Sequence, residues 1–323
     1  MSVPALNEDW VRQLIKEYRP FTKQGNVADY IPELAYANPH SLGLAIAAAD
    51  GSLWTGGDCE TKFTLQSISK VITFMIALLD HGPERVFTKV GMEPSVDPFN
   101  SIVKLEDLDH RKPLNPMINA GAIAIASMLQ GDTIDERLQR VCGVISAIAG
   151  CKTVEVNEKI YLSEKATGDR NRALAYFMKS TGIIDADVSV EDTLDLYFRL
   201  CSLEVNCIDL ARIGLFFAQW GETSVPLSPV ETCGRQSLVP ANIVQIVTTI
   251  MITSGMYNHS GEFFLKVGLP AKSGVSGGIV AFAPNQYGFG IFGPAIDAAG
   301  NSVAGVKLLE RLSRDLRLHL VSP

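Results

Sequence analysis

Residues 63–79 read FTLQSISKVITFMIALL, and this stretch carries the strongest structural signal in the chain. Apolar side chains recur in it every three to four residues, which is typical of an α-helix. Other apolar side chains fill most of the remaining faces, so we predict a helix that is buried on nearly all sides. The first set comprises Leu65, Ile68, Ile72, Met75 and Leu79, and the second comprises Val71, Phe74, Ile76 and Leu78.

One charged side chain, Lys70, interrupts this apolar helix. A buried lysine must be paired or lose its proton, because an isolated charge is costly away from water. Ser67 lies three residues earlier, which puts it on the same helix face. A serine hydroxyl beside a neutral amine is a nucleophile with its base. The positive end of the helix dipole would favour neutral Lys70 and a developing oxyanion.

The Ser-x-x-Lys pattern is weak by itself, since chance gives about one copy in a chain of this length. A second copy, Ser101 to Lys104, lies among acidic and amide side chains, where we expect a solvated lysine. The apolar context therefore favours the copy at Ser67 and Lys70 as the functional one.

Length and composition predict a folded protein with a large core. The chain has 323 residues, of which 47% are hydrophobic and 20% charged, so it can bury a large core in one big domain or two intimate ones. Its net charge is −7 and it contains no basic run. Nucleic acid and anionic membranes are therefore not expected as main partners.

The N-terminus, residues 1–10, lacks the basic start and apolar core of a secretory signal. The longest apolar run, residues 118–129, is too short to span a membrane. We therefore predict a cytoplasmic protein whose cysteines are free core thiols. These are Cys59, Cys142, Cys151, Cys201, Cys207 and Cys233. Neither metal-ligand spacing nor a phosphate-binding glycine motif is present, so we expect no metal and no nucleotide cofactor.

Strand signals cluster at the two ends of the chain, and the middle is mostly helical. Asp50-Gly51 between two alternating runs predicts a hairpin, and Asn115-Pro116 predicts a helix start. The predicted strands are 41–49, 52–55, 263–267, 279–283 and 287–292, and amphipathic helices are predicted at 8–18 and 302–318. This layout predicts an α+β fold, with one antiparallel sheet flanked by helices plus a helical subdomain. We expect a single unit, with a sheet subdomain at roughly 1–65 and 255–323 and a helical subdomain at roughly 66–254.

A second motif, Lys272-Ser273-Gly274, lies between two of the strand-like runs. Such a triplet on a strand, downstream of a helical Ser-x-x-Lys, is used by serine acyl-transferases of the penicillin-recognising kind. The strand edge would bring a backbone N–H beside Ser67, so that the two N–H groups form an oxyanion hole. A Lys-Ser/Thr-Gly triplet is a common sequence, and residues 179–182 (KSTG) nearly repeat it. The Ser-x-x-Lys motif followed by this triplet is far more specific than either motif alone.

Six ordered blocks along the chain carry a family resemblance: residues 66–70 (QSISK), 115–122 (NPMINAGA), 163–164 with 168–171 (SE and GDRN), 194–197 (LDLY), 255–257 (GMY) and 268–275 (GLPAKSGV). Through these blocks the chain resembles the serine-dependent glutaminase family. Residues 29–32 (DYIP) and 300–303 (GNSV) also resemble blocks of that family. The resemblance implies a β-lactamase-like fold, hydrolysis of L-glutamine to L-glutamate and ammonia, no cofactor, and assembly as a homodimer or homotetramer.

The resemblance also assigns roles to individual residues. Ser67 would be the nucleophile, Lys70 its base and Tyr257 a second proton carrier. From the residues alone, Lys272 could fill that last role equally well. The backbone N–H groups of Ser67 and Val275 would form the oxyanion hole. The side chains implied to bind the substrate are Tyr30, Gln66, Asn119, Glu164, Asn171 and Tyr197.

The chemistry of free glutamine fits this division of roles. Its ammonium suits the carboxylate of Glu164, and its carboxylate suits the neutral hydrogen-bonding side chains. Two other functions stay open. A β-lactamase or penicillin-binding peptidase shares both motifs, although we expect those enzymes to carry an export signal and a Ser-Asp-Asn triplet. A catalytically inactive amino-acid-binding module would use the same cavity without turnover.

Overall fold

The computed structural model describes residues 6–95, 100–101, 112–151, 153–223 and 236–321. The helices of this part are α1 (Glu8–Tyr18), α2 (Ser69–Lys89), α3 (Asn119–Ala126), α4 (Ile134–Ala149), α5 (Glu158–Thr167), α6 (Asp169–Ser180), α7 (Val190–Cys201), α8 (Cys207–Ala218), α9 (Ala241–Ser254), α10 (Ser260–Val267) and α11 (Val303–Leu316). Its strands are β1 (Gly43–Ala48), β2 (Leu53–Gly57), β3 (Phe63–Thr64), β4 (Glu204–Val205), β5 (Glu222–Thr223), β6 (Gln236–Ser237), β7 (Ala271–Ser273), β8 (Gly278–Ala283) and β9 (Tyr287–Phe292).

Strands from both ends of the chain form one antiparallel sheet. Within the described residues its order is β2-β1-β9-β8-β7, and every neighbouring pair is antiparallel. The hairpin predicted at Asp50-Gly51 joins β1 to β2, with Ile46 opposite Trp54. The pairs β3-β4 and β5-β6 form two small separate sheets. The predicted α+β arrangement, an antiparallel sheet flanked by helices, is therefore confirmed.

Each face of the main sheet is covered by its own apolar core, because side chains alternate along a strand. Ile46, Ile279 and Phe289 face a core that α1, α10 and α11 complete. Ala45 and Val280 face the larger core, which contains side chains of α2, α3, α7, α8 and α9. Helices of the middle segment thus pack directly on the sheet. The predicted division into two subdomains stays a prediction.

Helix α8 lies unusually close to β9 because β9 carries glycines on the facing side. A Cβ built on Gly290 would lie 2.0 Å from the carbonyl oxygen of Cys207, and one on Gly288 would lie 2.1 Å from that of Ala211. Phe217 of α8 also stacks on Phe282 of β8, with ring centroids 5.9 Å apart. The contact between helix and sheet therefore leaves no space for side chains at these two positions of β9.

We expect Gly290→Ala to lower the free energy of unfolding by at least about 1–3 kcal/mol, because α8 would have to move to admit the new methyl group. The midpoint of urea unfolding measures this change. Gly143→Ala is the matched control, since a Cβ there meets no atom within 4 Å. In that exposed helical position alanine should stabilise the fold by up to about 1 kcal/mol. Equal midpoints for the two variants would contradict the proposed close packing.

The helix predicted after Phe63 is α2, and its first half is buried on all sides. Every residue from Ser69 to Leu78 is buried, as the all-round apolar pattern predicted, whereas Leu79, which belongs to the same pattern, is 40% exposed. The α-helix begins at Ser69, however, because residues Gln66–Ile68 form a 3₁₀ turn. Ser67 therefore lies on the turn that enters the helix.

Two other local predictions were wrong. Residues 263–267 were predicted as a strand but belong to α10, where Phe263 and Val267 are buried one turn apart and Leu265 is exposed. A five-residue apolar run cannot distinguish the two structures by its periodicity. Helix α3 begins at Asn119 instead of Pro116. Asn115 instead accepts a bond from the N–H of Met117 and donates to the carbonyl of Glu93.

Three further predictions concern residues only partly covered by the structure. The cysteines at 59, 142, 151, 201 and 207 carry free thiols, whereas Cys233 lies outside the described residues. Of the second Ser-x-x-Lys copy, residues 102–104 also lie outside them. No helix in the described part of the chain is both long and apolar enough to cross a membrane.

Candidate active site

Ser67 lies between strand β3 and helix α2, on the 3₁₀ turn that joins them. Its neighbour Gln66 has a φ of 47°, a left-handed conformation that is unfavourable for a residue with a side chain. The turn presents the side chain of Ser67 to an internal cavity, although the residue is buried overall. A strained backbone next to a buried hydroxyl is an arrangement that concentrates at functional sites.

Lys70 is one turn further on and is only 1% exposed. Its amine donates to Oδ1 of Asn119 at 2.7 Å and to the carbonyl of Met117 at 3.4 Å. Neither partner carries a charge, so burial dominates and lowers the pKa of Lys70 to about 8. Roughly a tenth of Lys70 is therefore neutral at pH 7, and this neutral form, which a base for Ser67 must have, increases as the pH rises towards 8.

Asn119 connects Lys70 to the cavity. Its Oδ1 accepts from Lys70, and its Nδ2 donates to Oδ1 of Asn171 at 3.0 Å. The polar residue predicted in the first turn of α3 is thus satisfied by side chains. Asn119 and Asn171 both line the cavity, so a ligand there would touch the same amides that contact Lys70.

Tyr257 approaches Ser67 from the 3₁₀ turn that follows α9. Its φ is 56°, also left-handed. The hydroxyl donates to the carbonyl of Ser273 at 3.2 Å and lies in hydrogen-bonding contact with Ser67. Burial holds the pKa of Tyr257 above its ordinary value, so the phenol stays protonated at neutral pH.

Lys272, the other buried amine near the site, lies against the ring of Tyr257. Its amine donates to the carbonyl of Ser273 at 2.7 Å and lies 4.3 Å from the ring centroid of Tyr257. Burial, followed by the nearby charge of Lys70, lowers the pKa of Lys272 far below its ordinary value. Both residues that could act as the second proton carrier therefore contact the Ser273 carbonyl, and Tyr257 is the one in contact with Ser67.

Strand β7 forms one edge of the main sheet and ends beside the turn of Ser67. A Cβ on Gly274 would lie 2.5 Å from the carbonyl oxygen of Leu65. Only glycine allows the two backbones to come this close. Val275 follows directly and lines the same cavity as Ser67. The motif at Lys272-Ser273-Gly274 thus brings the backbone of Val275 to the site where the sequence predicted an oxyanion hole.

The cavity encloses about 90 Å³, which is several times the roughly 10–15 Å³ that a single water needs. Most of the residues that line it have a polar side chain. They are formed by Tyr30, Ile31, Gln66, Ser67, Asn100, Asn119, Glu164, Thr167, Gly168, Arg170, Asn171, Tyr197, Cys201 and Val275. Eight of the ten predicted site residues are in this set, and Lys70 and Tyr257 contact it through Asn119 and Ser67. The structure therefore brings all ten together.

Glu164 is the buried acidic group of the cavity, with 7% of its surface exposed. Burial raises the pKa of Glu164 to about 7, against the opposing effects of a 3.4 Å hydrogen bond from Gln66 and the charge of Lys70. No cationic side chain contacts it among the described residues. A cationic ligand group would supply the missing partner and favour the ionised carboxylate.

Helices α5 and α7, which carry Glu164 and Tyr197, are held together by one carboxylate. Asp195 of α7 accepts hydrogen bonds from Tyr161 and Lys165 of α5, and from Arg199 of its own helix at 2.8 Å. Such a charge-assisted cluster fixes the relative position of the two helices. Asp195 therefore positions two cavity side chains without touching the cavity.

A protein-family model described as glutaminase matches residues 25–321 of this chain. The chain belongs to the glutaminase family. It is 50% identical to the glutaminase of Clostridium tetani over 310 residues, which cover 96% of this chain and 98% of that protein. It is 52% identical to the glutaminase of Bacillus mycoides over 303 residues, covering 94% and 95% of the two chains. The predicted family and enzyme class are confirmed.

A solved structure of a glutaminase is similar in fold as well. It is the Bacillus subtilis glutaminase in covalent complex with 5-oxo-L-norleucine, formed by reaction of that protein with 6-diazo-5-oxo-L-norleucine. Its identity to this chain is 37% and the TM-score is 0.85, covering 97% of this chain and 99% of that one. The predicted β-lactamase-like fold is thereby confirmed as the glutaminase fold.

Sequence reasoning missed six residues that line the cavity of this glutaminase-family chain, namely Ile31, Asn100, Thr167, Gly168, Arg170 and Cys201. Arg170 belongs to a family-like block, but its side chain was not assigned a role. Cys201 ends α7, one turn beyond Tyr197, and this spacing could have indicated it. Asn100 reaches the cavity through tertiary structure, with its carbonyl accepting a 2.6 Å bond from Arg170. No local sequence signal could have identified Asn100.

Proposed function

We propose that the chain hydrolyses L-glutamine to L-glutamate and ammonia through a γ-glutamyl ester on Ser67, with Lys70 as the base. The observation that carries this proposal is a buried serine on a polar, amino-acid-sized cavity, one turn from a lysine whose pKa burial lowers to about 8. Membership of the glutaminase family supports the reaction, and the site chemistry supports the covalent route.

The B. subtilis relative supports the covalent route further. The compound bound to it, 5-oxo-L-norleucine, carries a carbonyl at carbon 5, the carbon that bears the side-chain amide in glutamine. In that glutaminase the compound forms a covalent complex. The diazo group that the reaction removes is on carbon 6, so a nucleophile of the related protein reaches the carbon next to the one that Ser67 would attack in glutamine.

The cycle has two symmetrical halves. Neutral Lys70 accepts the proton of Ser67 while the oxygen attacks the amide carbon, and the N–H groups of Ser67 and Val275 hold the tetrahedral oxyanion. The C–N bond breaks, and ammonia leaves with a proton delivered by Lys70 or Tyr257. Water then attacks the ester carbon while Lys70 takes one of its protons, and Lys70 passes that proton to the oxygen of Ser67 as the ester C–O bond breaks. The γ-carboxylic acid loses the other proton of the water to solvent, where ammonia takes it up, and glutamate leaves with its γ-carboxylate.

Substrate recognition follows from the polarity of the walls. Glu164 would pair with the α-ammonium, and the hydroxyl and amide groups would orient the rest of the molecule. The proposed binding residues are Tyr30, Gln66, Asn119, Glu164, Asn171 and Tyr197. A cytoplasmic location and assembly as a homodimer or homotetramer stay predictions from sequence and resemblance.

Ammonia release by purified protein tests the proposal. We expect one ammonia and one glutamate for each L-glutamine consumed, and much less ammonia from L-asparagine, whose side chain is one methylene shorter. A chromogenic β-lactam in parallel tests the penicillin-recognising alternative. Hydrolysis of the β-lactam alone would support that alternative, and calorimetric binding of glutamine without ammonia release would support the inactive binding module.

We expect Glu164→Gln to lower kcat/KM for L-glutamine at least about 30-fold, mainly through KM, because the substrate ammonium loses its ionic partner. Since burial raises the pKa of Glu164 to about 7, the wild-type KM should increase as pH falls below 7 and the carboxylate becomes neutral. Initial rates between pH 5.5 and 9 measure both effects.

Lys70 is unchanged in the Glu164→Gln variant, so its own pH dependence is an internal control in the same experiment. In Glu164→Gln the increase of kcat/KM with pH near pH 7 should disappear. The increase of kcat/KM near pH 8, where Lys70 loses its proton, should stay. A KM that keeps its pH dependence in Glu164→Gln would exclude Glu164 as the ammonium partner.

A further inference from the structure

A second cavity lies between helix α8 and the hairpin of β1 and β2. It encloses about 340 Å³, which is within the range of roughly 300–1,000 Å³ typical of small-molecule sites. The described residues that line it are all different from those that line the cavity of Ser67. The proposed hydrolysis of glutamine therefore makes no use of this cavity.

One face of α8 forms a wall of the second cavity. The side chains at this wall are Arg212, Leu215, Phe216 and Gln219, and their spacing puts them on the same side of the helix. Arg212 and Gln219 are seven residues apart, which separates them by about 10 Å along the helix axis. Leu53 of β2 also lines the cavity. The wall is therefore apolar in the middle and polar at both ends.

The guanidinium of Arg212 has donors that the fold does not use. Arg212 is half-buried, and its Nη1 donates to the carbonyl of Ala149, the last residue of α4, at 3.0 Å. No carboxylate of the described residues pairs with Arg212; Asp209, one turn earlier, accepts from the backbone N–H of Asn206 instead. A guanidinium carries five N–H donors in a planar fork, so Nε and Nη2 can hold a carboxylate.

The other end of the wall has an amide that needs a partner. Gln219 is 6% exposed, and its amide nitrogen has no hydrogen-bond partner within the described ranges. Buried polar atoms in this state are rare, and an oxygen of a ligand would accept from it. Glu222, three residues later, borders the same cavity, so its charge would repel an anionic group at this end. The preferred group there is a neutral oxygen.

We propose that this cavity binds a small monocarboxylate that has an apolar chain and a neutral oxygen at its far end. The carboxylate pairs with Arg212, the chain covers Leu215 and Phe216, and the terminal oxygen accepts from the amide of Gln219. The bound molecule contacts α8, the hairpin and the end of α4 together, so it stabilises the folded state. The inference is independent of the reaction at Ser67.

The probe is 8-hydroxyoctanoate, whose extended chain is similar in length to the wall of α8. Calorimetry with the whole chain should give a Kd of about 1 mM or lower. At about ten times the Kd the thermal midpoint should rise by about 1–3 °C. Octanoate lacks the terminal hydroxyl and should bind about three- to tenfold more weakly. The diol 1,8-octanediol lacks the carboxylate and should bind at least about tenfold more weakly.

Two variants assign the binding to this cavity. Arg212→Gln should weaken the binding of 8-hydroxyoctanoate at least about tenfold and leave that of 1,8-octanediol unchanged. Gln219→Leu should remove the preference for 8-hydroxyoctanoate over octanoate. Arg137→Gln is the matched control, because Arg137 is also half-buried and donates through Nε to a backbone carbonyl, that of Gly131, but does not line this cavity. It should bind the probe as the wild type does.

A wild-type protein that does not bind 8-hydroxyoctanoate would overturn the inference, and so would equal affinities of the wild type and Arg212→Gln. If Arg212→Gln does not fold, Gln219→Leu takes its place in the test. An unchanged preference for 8-hydroxyoctanoate over octanoate in that variant would then overturn the inference.

Discussion

Ser67→Ala is expected to lower kcat for L-glutamine by at least about 10⁴-fold, because the attacking oxygen is removed while the cavity stays intact. The assay is ammonia release at saturating L-glutamine, with detection low enough to resolve that loss. Substrate binding should survive, since the other wall residues remain. Calorimetry on the variant should therefore find L-glutamine bound without turnover.

The stability of the Ser67→Ala variant has to be measured beside its activity. The change removes one hydroxyl that contacts Tyr257, so we expect a thermal midpoint close to that of the wild type. Ser127→Ala is the control for serine removal, because its hydroxyl donates to the carbonyl of Ala124 at the end of α3. It should retain full activity. Ammonia release by Ser67→Ala at the wild-type rate would refute the nucleophile assignment.

Lys70→Met should lower kcat by about 10²–10⁴-fold, the contribution of a positioned general base. Methionine has nearly the same length and shape, so the loss would be chemical and not a packing effect. Stability should not decrease. Because burial lowers the pKa of Lys70 from 10.5 to about 8, the fold loses stability as the pH falls from 10.5 to about 8, and the full cost is present below pH 8. Methionine removes this cost.

A second buried lysine provides a control with the opposite pattern. Lys89 is 7% exposed, but its amine pairs with Asp185 at 2.6 Å and donates to the carbonyl of Gly182 at 3.1 Å. Lys89→Met should keep kcat and lower the urea midpoint. Wild-type kcat in Lys70→Met would move the role of base to Lys272, the other buried amine near Tyr257.

Much of the fold was predictable because periodic apolar patterns are long in this chain. Helix α1 has the predicted bounds, Glu8–Tyr18, and α11 lies within the predicted 302–318. The hairpin of β1 and β2 followed from Asp50-Gly51, whose turn chemistry is local. The buried face of α2 followed from residues 69–78. Each of these elements is specified by neighbours along the chain, so the sequence contains the whole signal.

The remaining features depend on contacts between distant segments. The side-chain amide of Asn115 donates to the carbonyl of Glu93 in a distant loop. Helix α3 therefore begins at Asn119 and not at the predicted Asn115-Pro116. The helix α10 depends on Phe263 and Val267 meeting the sheet core. The family resemblance identified which residues line the cavity, but it did not give their positions relative to one another. Their geometry, and the participation of Asn100, required the folded chain.

The two left-handed residues at the site, Gln66 and Tyr257, have a consequence for how this enzyme can evolve. Such a conformation costs on the order of 1–3 kcal/mol per residue. Gln66 directly precedes the nucleophile and Tyr257 contacts it. Selection for heat tolerance alone would favour glycine or asparagine at both positions, and would erode catalysis there. The rigid sheet and its two cores must therefore hold a reserve of stability. The size of that reserve determines how many other substitutions a lineage can accumulate while Ser67 keeps its position.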